Sequence, residues 1–229
     1  MVIVGGLLSL RNRPGSIFDW APRTWARILL AAAGTEVVIH GEEHRHGQQH
    51  VFVANHVSRF DVFVMAAHLR WFKFVAKAEL FRIPLFGPAM RAAGMIAIDR
   101  RNQKAAHGSI QAAAARIREG ASVILFPEGT RGRTYALRPF KKGAFVLAIE
   151  AKAPVVPVAI HGSIEVHAKG MMRVRRGRID VHFLPPIATV DMTYDDRDRL
   201  ARAAYARIAE CLEREYGVRS PVLPKPRST

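Results

Sequence analysis

VFVANHVSRFDVFV, residues 51–64, holds two apolar runs with a polar insert between them. The first run, Val51 to Ala54, is short and rich in β-branched and aromatic residues, the signature of a buried strand. The second begins at Phe60 and continues through "VFVMAA", too long and too even for a paired strand. Ser58 stands where a helix N-cap would be, and Ser58-Arg59-Phe60-Asp61 has the S-x-x-[D/E] spacing of a capping box. The stretch is therefore a strand turning directly into a helix that starts after Ser58, which is the beginning of a βα unit and not of a hairpin.

His56 and Asp61 flank that turn. On one continuous helix, five residues at 100° each would set the two side chains about 140° apart, out of reach. A break at Ser58 leaves His56 on the turn, free to fold back over the first helical turn. Two readings are open at this point. Asp61 is a capping carboxylate and His56 a loop residue, or the two form a dyad in which the carboxylate orients the imidazole and the imidazole removes a proton from a hydroxyl. No G-x-S-x-G elbow occurs, and Ser58 is committed to the cap. A dyad here would activate the substrate's own hydroxyl, which points to direct group transfer.

Outward from this stretch the pattern alternates. A helix over 19–34 presents Trp25, Ile28, Leu29 and Ala32 at i, i+3, i+4, i+7, a face expected to pack on the core or, alternatively, to lie on a membrane. "EVVIHG" and "HVFVA" are expected as two strands joined by a polar hairpin loop, with His40, His44, His46 and His50 scattered across it at no metal-ligand spacing. Strands are then expected in "WFKFVAK", "MIAIDR", "SVILFP", "PVVPVAI" and "RIDVHFL", with helices near 60–70, 102–119, 140–151 and 194–216. The class is α/β, a largely parallel central sheet flanked by helices, with a short N-terminal amphipathic helical element. The boundaries expected are 1–34 for a membrane-associating helical segment, 35–216 for the main domain and 217–229 for a loose Pro-rich tail.

Composition narrows the class further. Of 229 residues, 49% are hydrophobic and 24% charged, which is globular and not disordered. Lys and Arg number 35 against 19 Asp and Glu, a net charge of +16 that favours polyanionic partners without choosing among them. No nucleic-acid recognition motif accompanies it. Cys211 is the single cysteine, so no intrachain disulfide or cysteine metal cluster can form, and its helical setting suits a buried inert thiol. The first ten residues are apolar and the basic ones follow, the reverse of a signal peptide, and no run is long and apolar enough for a simple membrane span.

A second cluster lies in "SVILFPEGTRGRT", 122–134, where a buried strand ends in Glu128, Gly129, Thr130 and Arg131. The carboxyl end of a parallel strand is where α/β sheets bind ligands. Gly129 permits close backbone approach, Thr130 offers a hydroxyl and Arg131 a fork for phosphate or carboxylate. A plain polar turn is the competing reading, since the stretch is neither a Walker A loop nor a dinucleotide fingerprint. Lys77, in "FVAKAEL", and Arg100, in "GMIAIDRRN", also end apolar runs and would make an anion pocket if they converge on one edge.

Together these pieces resemble the glycerolipid acyltransferase family of the lysophosphatidic acid acyltransferase type. Its four blocks stand in order as "NHVSRFD" (55–61), "GMIAIDR" (94–100), "FPEGTR" (126–131) and "VVPVAI" (155–160). The resemblance implies that His56 and Asp61 are the catalytic dyad and that Glu128, Gly129, Thr130 and Arg131 bind the acceptor's glycerol phosphate. It also implies that Lys77 and Arg100 contact phosphate and that Pro157 shapes the acyl site. The implied reaction moves an acyl group from acyl-CoA or acyl-carrier protein to a lysophospholipid hydroxyl, 1-acyl-glycerol-3-phosphate first and another acceptor such as a lyso-ornithine lipid second. No cofactor or metal is implied, and the setting is the cytoplasmic face of an anionic membrane. Backbone N–H groups near Ser58 are one candidate for oxyanion donors. The basic loop "KGMMRVRRGRI", 169–179, is a candidate for lipid headgroups.

Overall fold

The structure, a computed structural model, describes residues 12–47, 49–98 and 103–223. Strand β2 (Val51–Ala54) explains the architecture. Its side chains alternate: Phe52 and Ala54 enter one apolar cluster, while Val51 and Val53 enter another on the opposite face. A strand buried on both faces has no polar alternation, which is why this run looks continuous in sequence.

Around it the sheet has seven strands in the order β1-β7-β6-β2-β5-β3-β4. The others are β1 (Thr35–His40), β3 (Phe72–Lys77), β4 (Ile96–Ile98), β5 (Ser122–Leu125), β6 (Val155–His161) and β7 (Gly177–Phe183). Every pairing is parallel except β6 with β7, so the expected α/β class is observed. Helices α1 (Ile17–Ala32) and α2 (Phe60–His68) contribute to the cluster on the Phe52 face. Helices α4 (Gln103–Arg118), α5 (Gly143–Ala151) and α7 (Arg197–Tyr216) contribute to the cluster on the Val51 face. Two shorter helices, α3 (Phe86–Ala92) and α6 (Ser163–Val166), lie in the connections.

Three expectations are corrected. First, β1 and β2 do not form a hairpin: β1 pairs with β7 at one edge, while β2 sits between β5 and β6. The linking segment contains a 3₁₀ turn, Glu42–Arg45, and the histidines on it disperse. His40 meets Asp180 at 3.1 Å and stacks on His182, whereas His50 is buried against Phe52. Local alternation could not reveal that the partner of β1 lies some 140 residues away.

Second, α1 does pack on the core, but through Phe18, Ala26 and Leu30. The stripe proposed from sequence faces outward, with Trp25 52% and Ile28 60% exposed. Arg27 fastens the helix by donating from Nε to the Ala67 carbonyl at 3.1 Å. Third, the start of the tail is tied down: Ser220 Oγ accepts from the Leu137 N–H at 3.0 Å, and Tyr205 donates its hydroxyl to the Pro221 carbonyl at 2.7 Å. Residues 224–229 lie outside the described residues.

Because β2, β3, β5 and β6 are mutually parallel, their carboxyl ends share one edge. That edge receives His56, Lys77, the 126–131 turn and the β6–α6 corner. At this corner Gly162 has φ +87°, and a Cβ there would stand 2.0 Å from the Arg178 carbonyl oxygen. Gly162→Ala is expected to lose about 2 kcal/mol or more of folding stability through strain and collision. Chemical denaturation checks this, and a wild-type midpoint would refute it.

Candidate active site

The helix of the opening stretch begins at Phe60, one residue later than its sequence suggests, with Arg59 at the N-cap position. Ser58 and Asp61 still share the capping work. Ser58 Oγ accepts the Phe60 N–H at 3.2 Å and donates to the His167 carbonyl at 2.7 Å. Asp61 Oδ2 accepts the backbone N–H of Val57 at 2.7 Å and of Ser58 at 2.8 Å. The capping reading is therefore correct, and it does not compete with the other.

The same Oδ2 accepts a hydrogen bond from His56 Nδ1 at 2.8 Å. A carboxylate offers only acceptors, so Nδ1 carries a proton, and in the neutral ring Nε2 presents its lone pair. Asp61 is fully buried, while the His56 side chain is 16% exposed. The ring is held on a second side by Phe126, stacked at 4.1 Å between centroids. An imidazole so fixed, with one nitrogen charge-paired and the other available, is arranged for general base work.

The turn after β5 is laced to the turn carrying His56. Glu128 Oε1 accepts the His56 N–H at 2.8 Å, and the Gly132 N–H donates to the His56 carbonyl at 2.7 Å. Arg138 Nε meets the other Glu128 oxygen at 3.1 Å. Burial raises the Glu128 pKa, with the His56 N–H and Arg138 pulling the other way. One Glu128 oxygen thus braces the histidine turn, and the other is held by Arg138. Gly129, buried at φ +80°, makes the turn possible by adopting a conformation that side chains resist. Thr130 is exposed, and its carbonyl accepts from Arg138.

Arg131 differs from its neighbours. Its Nη1 is buried with no hydrogen-bond partner. Burial lowers its pKa, Arg59 acts in the same direction, and Asp61 opposes them. Lys169 donates from Nζ to the Arg131 carbonyl at 2.9 Å, so the 169–179 loop brings a third cation here. An unpaired guanidinium N–H beside a second arginine favours an incoming anion. Lys77 sits exposed at the end of β3, opposite Ile98 in register. Arg100 lies outside the described residues.

Sequence reading missed several contributors. Asn55 is fully buried and bridges β2 to β6, donating to the Ile160 carbonyl at 2.9 Å and accepting its N–H at 2.7 Å. Its position immediately before His56 was the available signal. Arg138 and Ser163 fall in none of the four blocks, and Phe126 heads the third, but its ring contact with His56 is not local in sequence. Of the backbone N–H groups suggested as oxyanion donors, those of Val57 and Ser58 are spent on Asp61. Pro157 is buried inside β6. A mainly apolar cavity of about 240 Å³ lies instead beside Val75, Leu125, Phe126, Pro127 and Leu147, and Pro157 is not part of its lining. Cys211 is buried, and burial pushes its thiol up to about 11, consistent with an inert side chain.

Comparison with known proteins bears on the family and the fold. The family profile described as Acyltransferase matches residues 36–161. The 1-acyl-sn-glycerol-3-phosphate acyltransferase of Limnanthes douglasii is 41% identical over 173 residues, covering 75% of this chain and 61% of that protein. Its human counterpart, the alpha form, is 36% identical over 172 residues, covering 73% and 60%. The crystal structure of the 1-acyl-sn-glycerophosphate (LPA) acyltransferase PlsC from Thermotoga maritima shares the fold. Its TM-score is 0.71, with 84% of this chain and 78% of that one covered at 22% identity. The chain spans about three fifths of the length of these curated relatives. With more than half of its residues inside the profile, the chain belongs to the acyltransferase family.

Proposed function

We propose that the chain transfers a fatty acyl group from a thioester, acyl-CoA or acyl-carrier protein, to the free hydroxyl of 1-acyl-glycerol-3-phosphate, giving phosphatidic acid. The observation that carries this reading is the 2.8 Å contact between His56 Nδ1 and the buried Asp61 carboxylate. The relatives, 1-acyl-sn-glycerol-3-phosphate acyltransferases by name, suggest the acceptor.

His56 Nε2 takes the hydroxyl proton as the acceptor oxygen bonds to the thioester carbonyl carbon. Asp61 stabilises the imidazolium that forms. The tetrahedral intermediate collapses by breaking the C–S bond, and the departing thiolate takes the proton back from His56. A thiolate leaves easily, so base assistance and positioning supply most of the acceleration. Arg131 holds the acceptor phosphate, with Lys77 and Arg100 as further contacts, while Gly129 and Thr130 shape the turn beneath it. The cavity behind Phe126 supports room for an acyl chain. The reaction balances with its two substrates alone, so we assign no cofactor.

We also propose that the protein works on the cytoplasmic face of an anionic membrane. No helix among the described residues is long and apolar enough to cross one. Exposed apolar side chains on three segments, Trp25 and Ile28, Leu85 and Phe86, Met171 and Met172, support a docking surface lying on the bilayer. The net charge of +16 supports attraction to anionic lipid.

Three outcomes are expected. His56→Ala should lower thioester-release activity by roughly 10³-fold or more while keeping the wild-type circular dichroism spectrum. A folded His56→Ala protein with near-normal turnover would remove the dyad. Arg131→Ala should raise the KM for phosphate-bearing acceptors by about tenfold or more, with a smaller effect on neutral ones; equal kinetics on both would separate Arg131 from phosphate. In liposome flotation, the protein should float with vesicles containing anionic lipid and less with neutral ones, and Trp25→Glu should weaken flotation. Indifference to lipid charge and to that substitution would count against the docking surface.

A further inference from the structure

Four donors converge on Asp61, and three of them come from its own turn. The fourth is Ser163, remote in sequence and outside every motif considered above. Its hydroxyl lies 2.5 Å from Asp61 Oδ1, the oxygen that His56 does not use, and both residues are fully buried. We infer that Ser163 is a positioning residue for acyl transfer, acting through Asp61 to fix the orientation of the His56 ring. The inference rests on the dyad reading proposed above.

Oδ2 carries three hydrogen bonds, from His56, Val57 and Ser58. Rotation about the Cβ–Cγ bond would swing Oδ2 out of the imidazole plane and away from those donors. A donor on Oδ1 adds a second anchor against that rotation. Asp61 only accepts, so Ser163 donates, and its committed, buried hydroxyl is no nucleophile.

The fold also holds this hydroxyl in place. Gly162 lets the chain press against the Arg178 carbonyl at the end of β6, which directs Ser163 inward. Helix α6 is then pinned by Tyr135, whose hydroxyl accepts the Ile164 N–H at 2.9 Å and donates to Glu165 at 2.5 Å. Burial raises the Tyr135 pKa, and the Glu165 hydrogen bond adds to it, so this donor stays protonated at neutral pH.

The test compares Ser163→Ala with Ser163→Thr in the full chain, using 1-oleoyl-glycerol-3-phosphate with oleoyl-CoA and with oleoyl-acyl-carrier protein. Ser163→Ala should lower kcat about tenfold with the KM for both substrates unchanged, and Ser163→Thr should keep kcat within about twofold. In an Asp61→Asn background, Ser163→Ala should cost little more, because its effect passes through the carboxylate. A proton NMR signal from the His56 ring N–H, assigned by its absence in His56→Ala, reads the dyad without turnover. That signal should exchange faster with solvent in Ser163→Ala. Wild-type kcat in Ser163→Ala, equal losses in the Ala and Thr variants, or an unaltered ring N–H signal would overturn the role of Ser163. An inactive His56→Ala alongside a fully active Ser163→Ala would overturn this inference alone. Should the wild-type chain turn over neither donor, the functional reading fails, and ring N–H exchange still decides whether Ser163 positions the pair.

Discussion

An ionised carboxylate with no solvent access is the constraint around which this structure is arranged. Asp61 is fully buried, and a lone carboxylate there would carry a desolvation cost of several kcal/mol. Four hydrogen bonds offset that cost, each charge-assisted contact contributing about 1.5–3 kcal/mol. They come from a strand-to-helix turn, a histidine ring and a serine about a hundred residues away. Remote parts of the chain must therefore stand in fixed register for one side chain to be tolerated. The same register fixes the imidazole, so folding and preorganisation of the site are one requirement.

The parallel sheet supplies that register. Its adjacent parallel strands β2, β5 and β6 deliver three turns to one edge. Each turn then fastens to another. Glu128 takes the His56 N–H, Gly132 donates to the His56 carbonyl, and Asn55 bridges to Ile160. With its backbone groups engaged on both sides, the histidine turn does not rely on its own short sequence for rigidity. Arg131 is the counterpoint, its Nη1 unpartnered in a cluster otherwise rich in hydrogen bonds. A complete brace beside an unpartnered guanidinium N–H supports the anion-binding role proposed for Arg131.

Much of this was legible in the residues. Apolar runs of four to seven residues separated by amphipathic stretches gave the α/β class, because strands covered on both faces carry no polar alternation. The spacing of His56, Ser58 and Asp61 announced a cap, and the local hydrogen bonds honour it. Where sequence reading erred, the error had a physical source. Trp25 and Ile28 have helical spacing, but so do Phe18, Ala26 and Leu30, and spacing cannot say which face meets the sheet. Lys73, between Phe72 and Phe74 near the start of β3, is 2% exposed, donates to the Ala93 carbonyl and Asn12, and has a pKa lowered by burial to about 8. Nothing adjacent to it in the chain signals those partners.

Local conformation and chemical inventory are written in the residues: a βα turn holding a histidine and an aspartate, a glycine-bearing turn ending in arginine, and enough apolar residues for two packed faces. Backbone propensity and capping act over a few residues, so one dimension is enough to read them. The pairing of β1 with β7, the bracing of the histidine turn by Glu128 and the Ser163 donor on Asp61 arise only once the chain is folded. These contacts join residues from about 70 to 140 positions apart. Their geometry depends on how whole strands are ordered across the sheet, which no local pattern encodes.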